Sequence, residues 1–210
     1  MDYPEEWNEL PRHERKKKIK EMRRELEKKS VRLQKLRNWS IVITLLVLSI
    51  AGVIQLTKKS PEQIRFEQQV QAASLDGKVK EFPIEGRNHV SAGTSVDYKT
   101  NPPTSGDHLA EAESWGVYTK EIDDKAAVHG LEHGGIWISY KDIDDDTKKI
   151  LADIGHANSQ SVIVSPRSAD DTKIAVVSWG RMMKLEAADK ALIQKFIDTY
   201  KNQGPEKLAN

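Results

Sequence analysis

Apolar positions along this chain change their spacing from segment to segment, and each change marks a different kind of element. Within residues 12–38, Ile19, Met22, Leu26, Lys29, Leu33 and Leu36 fall alternately three and four apart. That is an a/d seam with one lysine in it, and it predicts a helix whose residues 19–36 pair two protomers as a short coiled coil. The same basic helix would also suit a surface of anionic lipid headgroups. Over residues 39–57 the periodicity vanishes because no position is charged. The run approaches the roughly 20 residues that a helix needs to cross hydrocarbon, and a single transmembrane span is expected there.

Past the span, Ser60-Pro61-Glu62-Gln63 reads as a helix start in which Ser caps, Pro fills the first turn and Gln completes the capping box. The helix is expected to reach residue 74, ahead of Asp76-Gly77. A strand at 79–84 and a Gly- and Pro-bearing stretch over 85–117 follow. Ile136, Ile138 and Tyr140 alternate with Trp137 and Ser139, which predicts a strand at 135–140. Further expectations are a helix over 142–158, strands at 161–165 and 173–179, and a terminal helix over 186–202 with Leu192, Ile193, Phe196, Ile197 and Tyr200 on one side. The fold class expected is α+β: a basic helix (1–38), one transmembrane helix (39–57) and a small mixed α/β extracytoplasmic domain (58–210) with loop-borne histidines.

Charge adds an orientation. The formal net charge of +1 over 210 residues conceals 13 Lys/Arg against 8 Asp/Glu in residues 1–38, and 20 against 24 in residues 58–210. Lys and Arg crowd the N-terminal flank of the span, so the N-terminus is expected in the cytoplasm and the C-terminal part outside, with Trp39 at the interface. A buried core helix would need equally apolar partner helices, which the rest of the chain does not offer. A cleaved leader fits poorly, since the apolar run starts far from the N-terminus and no small-x-small site follows it. Acidic residues interleaved through the basic helix, with a span directly after it, argue against nucleic acid. The absence of cysteine removes disulfides and thiolate ligands.

The chemistry concentrates in His129-Gly-Leu-Glu-His133, the order of the inverted zinc-peptidase motif. That motif requires a helix, and Gly130, Gly134 and Gly135 each disfavour one by about 1 kcal/mol. The stretch is therefore expected to be a tight turn entering a strand, which sets the peptidase aside. Two more histidines lie in the Pro/Gly-rich region: His89 in Gly-Arg-Asn-His-Val, and His108 in Asn-Pro-Pro-Thr-Ser-Gly-Asp-His. Each alone fits a hydrogen-bonded loop residue; together, on rigid loops, they read as ligands of Zn, Cu, Fe or Ni. A thioether from Met182 or Met183 would tilt the site toward Cu(I), the alternative for both being core packing. Glu132 is expected to orient a ligating histidine or to pair with Arg87 or Arg181. His13 and His156 are expected to be solvated and carry no role.

The motifs Gly86 to Val90, Asn101 to His108, Trp115 to Tyr118, Val128 to Gly135 and Trp179-Gly180 together resemble DUF3105, a domain-of-unknown-function family of single-pass, membrane-anchored proteins in bacteria and archaea. The resemblance covers roughly residues 60–205. It implies topology and the histidine set but no reaction. Where family members carry Pro before the loop histidine this chain has Asp107, a further carboxylate beside the site or one that faces water. The function expected is metal binding, storage or delivery outside the membrane, with copper as the ion and zinc as the alternative. His108, His129 and His133 are the expected core ligands, with His89 and Met183 as candidates to complete the set. Two other readings stay open: a metal-dependent enzyme using Glu132 or Asp107 as base, and an interaction module in which the histidines only brace loops.

Overall fold

The computed structural model describes residues 4–209, so the outermost positions of the expected segments, 1–3 and 210, lie outside the described residues. The chain forms two compact units, Met1–Ser60 and Pro61–Asn210. In the first, a single-turn 3-10 segment precedes one unbroken helix, α1 (Arg12–Thr57). The basic helix and the apolar run are thus one rod of 46 residues, about 69 Å long at the usual rise. The Arg12–Gln55 portion contains a stretch long and apolar enough to cross a bilayer, with none of its apolar window buried. Trp39, Leu45 and Leu48 stand 67%, 62% and 62% exposed, a surface that water alone would not stabilise.

The second unit is built on a six-stranded mixed sheet. In chain order it contains α2 (Pro61–Ala72), β1 (Val79–Glu81), β2 (His89–Val90), β3 (His108–Leu109), β4 (Gly116–Val117), α3 (Asp124–Glu132), β5 (Ile136–Tyr140), α4 (Asp145–Ala157), β6 (Val162–Pro166), β7 (Ile174–Ser178), β8 (Arg181–Leu185) and α5 (Lys190–Tyr200). The sheet order is β1-β8-β7-β5-β6-β4, and β2 pairs with β3 separately. β5 and β6 are parallel, as a strand–helix–strand crossover through α4 requires, while β7 and β8 form an antiparallel hairpin turned at Gly180, whose φ is +71°.

The central strands are apolar at consecutive positions because both faces of the sheet are covered. Ile136, Ile138, Val162, Val164, Ile174, Val176 and Met183 pack on one face against Leu151 and Ile154 of α4 and Leu192, Ile193, Phe196 and Ile197 of α5. Trp137, Ile163, Ala175, Val177, Trp179 and Met182 form the opposite layer with Ala127, Val128 and Leu131 of α3. The mixed α+β architecture follows the hydrophobic pattern closely. Two local expectations do not survive. Residues 129–132 are the last turn of a helix rather than a turn entering a strand, and residues 181–185, for which the pattern names no element, form a strand. The segment 85–117 also contains three two-residue strands, so His89 and His108 lie on short strands and not on free loops.

Candidate metal centre

Helix α3 exists because its ends are specified. Asp123 precedes it, and its carboxylate accepts a hydrogen bond from the Lys125 backbone N–H. At the other end Gly134 adopts φ +86°, its N–H reaches Leu131 O at 3.0 Å, and the Gly135 N–H reaches Gly130 O at 3.0 Å. This pairing is a Schellman stop, and it makes the Gly-Gly pair a helix terminator. Gly130, inside the helix, allows close approach to the sheet: a Cβ there would lie 3.1 Å from Ile163 Cδ1 and 3.4 Å from the Trp115 ring. Helical geometry then places His129 and Glu132, three apart, on one face.

That face meets the β2–β3 pair. His89 and His108 are direct partners in its parallel register, so both imidazoles leave the ladder on the same side. The ring centroids lie 5.1 Å apart for His89–His108, 4.9 Å for His89–His129 and 4.8 Å for His108–His129. One donor atom from each of His89, His108, His129 and Glu132 falls within 4.8 Å of all the others, with only His89 exposed. Such a set can hold a metal ion: three imidazole nitrogens and a carboxylate oxygen are all transition-metal donors.

Hydrogen bonding prepares these donors. His108 Nδ1 donates to the Gly106 carbonyl at 2.8 Å, which leaves the Nε2 lone pair free. Nε2 is 3.1 Å from Glu132 Oε2, yet this contact lacks hydrogen-bond geometry, and Nε2 remains buried without a partner. We read the short approach as two acceptors aimed at a shared point, since about 2.1 Å bonds from one ion bring neighbouring ligand atoms to about this separation. His129 Nδ1 is likewise buried and unpaired. Burial holds the His129 pKa below its ordinary value, and the neighbouring His133, His108 and His89 add to the shift against an opposing Leu109 backbone hydrogen bond. A neutral imidazole is the form that binds metal.

The remaining expected residues lie elsewhere. His133 caps the C-terminus of α3; its ring is 4.4 Å from that of His129, but its Nε2 lies 3.1 Å from Glu206 Oε2. Met183 is fully buried in the layer formed with α4 and α5, the face of the sheet opposite α3, so the structure does not bring it to the histidines. Asp107 is outside the four-residue donor group: its Oδ1 accepts from the backbone and side-chain nitrogens of Asn88 at 2.9 and 3.0 Å, tying the start of β2 to that of β3. Arg181 pairs with Glu81 rather than Glu132.

Two features of the surroundings escape sequence reasoning. Glu132 joins the donor set, a role its i, i+3 spacing from His129 would have signalled had the helix been recognised. Arg167 clamps the first turn of α3, with Nε and Nη2 on the two Asp124 oxygens at 2.8 and 2.7 Å and Nη1 on the buried Asp170 at 2.6 Å. Searches of curated proteins and of solved structures find no match to this chain. Residues 89–210, which contain every histidine of the cluster, match the family described as protein of unknown function (DUF3105), and the chain belongs to that family.

Proposed function

We propose that this protein is a membrane-anchored, extracytoplasmic binder of a divalent transition metal, held by His89, His108, His129 and Glu132, whose work is storage or delivery. The observation that carries the reading is the convergence of three imidazoles and a carboxylate within 4.8 Å, two of the imidazoles having a buried nitrogen that no protein group satisfies. An unpaired buried polar atom costs roughly 1–3 kcal/mol, and a metal ion removes that cost for both at once. Three nitrogens and one oxygen favour Cu2+ over Zn2+ by the general affinity order, with Zn2+ the alternative. Met183 packs in the other layer and supplies no thioether for Cu(I), whereas Met182 lies in the layer on the α3 side, so of the two methionines it alone keeps the Cu(I) form of the copper reading open.

The Lys/Arg excess before residues 39–57 supports an N-terminus in the cytoplasm and the cluster outside. The exposure of His89 favours a second reading: an ion on the three histidines with a water-filled position, and Glu132 as the base toward that water. Loading the purified full chain in detergent with Cu2+ and Zn2+ separately, followed by elemental analysis, tests the proposal. Close to one equivalent is expected; metal well below one equivalent for both ions would remove it. X-ray absorption at the bound ion then separates a closed N3O set from three nitrogens and an exchangeable water.

A further inference from the structure

We infer a second, solvent-facing metal position formed by His133 and the Glu206 carboxylate, with His129 at its inner edge, through which a transition-metal ion reaches the buried cluster. The inference rests on the metal-binding reading above. His133 and Glu206 carry side chains of metal-ligating type that the cluster does not use, and they are built as a pair. His133 Nε2 and Glu206 Oε2 are 3.1 Å apart, with the side chains 23% and 49% exposed, against 0% and 8% for His108 and Glu132. The His133 and His129 rings are 4.4 Å apart, closer than any two rings inside the cluster.

Glu206 is presented by a fixed backbone. The Asn202 N–H donates to Gly134 O at 2.8 Å, the Glu206 N–H to Glu132 O at 3.0 Å and the Leu208 N–H to His133 O at 3.0 Å. Gly204 passes so near the end of α3 that a Cβ would sit 2.5 Å from Glu132 O. The tail therefore satisfies carbonyls that a helix end leaves open and holds a carboxylate over the outer imidazole. One imidazole and one carboxylate hold an ion loosely, while four converging donors hold it firmly. That difference draws the ion inward, and His129, adjacent to both sets, lets ligands exchange one at a time so that the ion is never bare.

The test uses the full chain in detergent micelles, with Zn2+ uptake and release followed by stopped-flow competition against a chromophoric chelator. Glu206→Gln removes the carboxylate charge but keeps the backbone bonds of the tail. Asn202→Ala removes the side-chain bonds to Ala209 at the end of the tail but keeps the backbone bonds that present Glu206, and leaves His133 and Glu206 intact. In His133→Ala and Glu206→Gln, uptake and release are both expected to slow about tenfold with stoichiometry and equilibrium affinity unchanged, a signature that a merely structural residue would not give. Asn202→Ala is expected to exchange at the wild-type rate. Unchanged rates in the first two variants, equal slowing in Asn202→Ala, or lost stoichiometry in His133→Ala would overturn the proposal while leaving the buried site standing. A wild-type chain that takes up no metal would end both.

Discussion

His108 has the bonding pattern that the proposed metal site requires of a ligand. Its Nδ1 proton is committed to Gly106 O, its Nε2 is buried and unpaired, and the Trp179 ring stands edge-on 6.2 Å away. His108→Ala is therefore expected to lower affinity for Cu2+ or Zn2+ by more than about 100-fold, measured by competition with a chelator of known affinity. Met183→Leu, a volume-conserving change in the other layer, is expected to leave stoichiometry and affinity unchanged and to cost less than about 1.5 kcal/mol in a denaturant titration. His129 sets a pH dependence. Because burial holds its folded pKa below the ordinary imidazole value, the unfolded chain takes up a proton that the folded chain refuses. The stability this gives is complete above pH 6.5 and is lost as the pH falls through the depressed folded value. Melts of metal-free protein across this range are expected to show it, and His129→Gln to flatten the curve.

Helix α3 carries two of the four donors, and both its ends are held. At the N-terminal end, replacing Arg167 by Met leaves the buried Asp170 carboxylate without its partner, an expected loss of about 3–5 kcal/mol in chemical denaturation. At the C-terminal end, a Cβ on Gly135 would lie 2.1 Å from the Trp115 ring, so Gly135→Ala is expected to destabilise by about 1–3 kcal/mol and to weaken metal binding as α3 shifts. The same residues explain what the sequence reveals and what it hides. Helices α4 and α5 and strands β5, β6 and β7 are legible because each buries a continuous apolar face. Helix α3 was obscured by its glycines: Gly134 and Gly135 end the helix, and Gly130 is tolerated because Ile163 and Trp115 press against it, a tertiary contact that outweighs local propensity. The Asp123 cap was the available signal. Strand β8, Arg-Met-Met-Lys-Leu, has no β-branched residue, and only its pairing with β7 and β1 makes it a strand. With residues 129–135 read as a turn, Glu132 was expected to orient a ligating histidine rather than to join the donor set, and with no element assigned over 181–185, Met183 had no face assigned to it.

Across the whole molecule, the proposed metal site and the proposed membrane anchor have separate readouts because the chain forms two units. Binding to the folded state alone adds about 2.7 kcal/mol at about 100 times Kd. An ion at that excess is expected to raise the melting temperature of the unit containing the cluster by roughly 5–10 °C, reversed by a chelator. In the first unit, Leu26, Leu33 and Leu36 stand 45%, 58% and 60% exposed along one continuous helix, and the seam they share with Lys29 is proposed to pair two copies of the chain. Lys29→Leu is expected to tighten self-association in analytical ultercentrifugation of detergent-solubilised protein; an unchanged oligomeric state counts against pairing. The two-residue ladder of His89 and His108 reaches furthest in its consequences. Side chains alternate along a strand, so one residue inserted between Gly106 and His108 would turn that imidazole to the opposite side, whereas an insertion among residues 92–96, outside the ladder, would be absorbed. Drift in chain length is thereby confined to the far part of this connection, and the spacing next to each histidine is frozen by geometry long before chemistry is consulted.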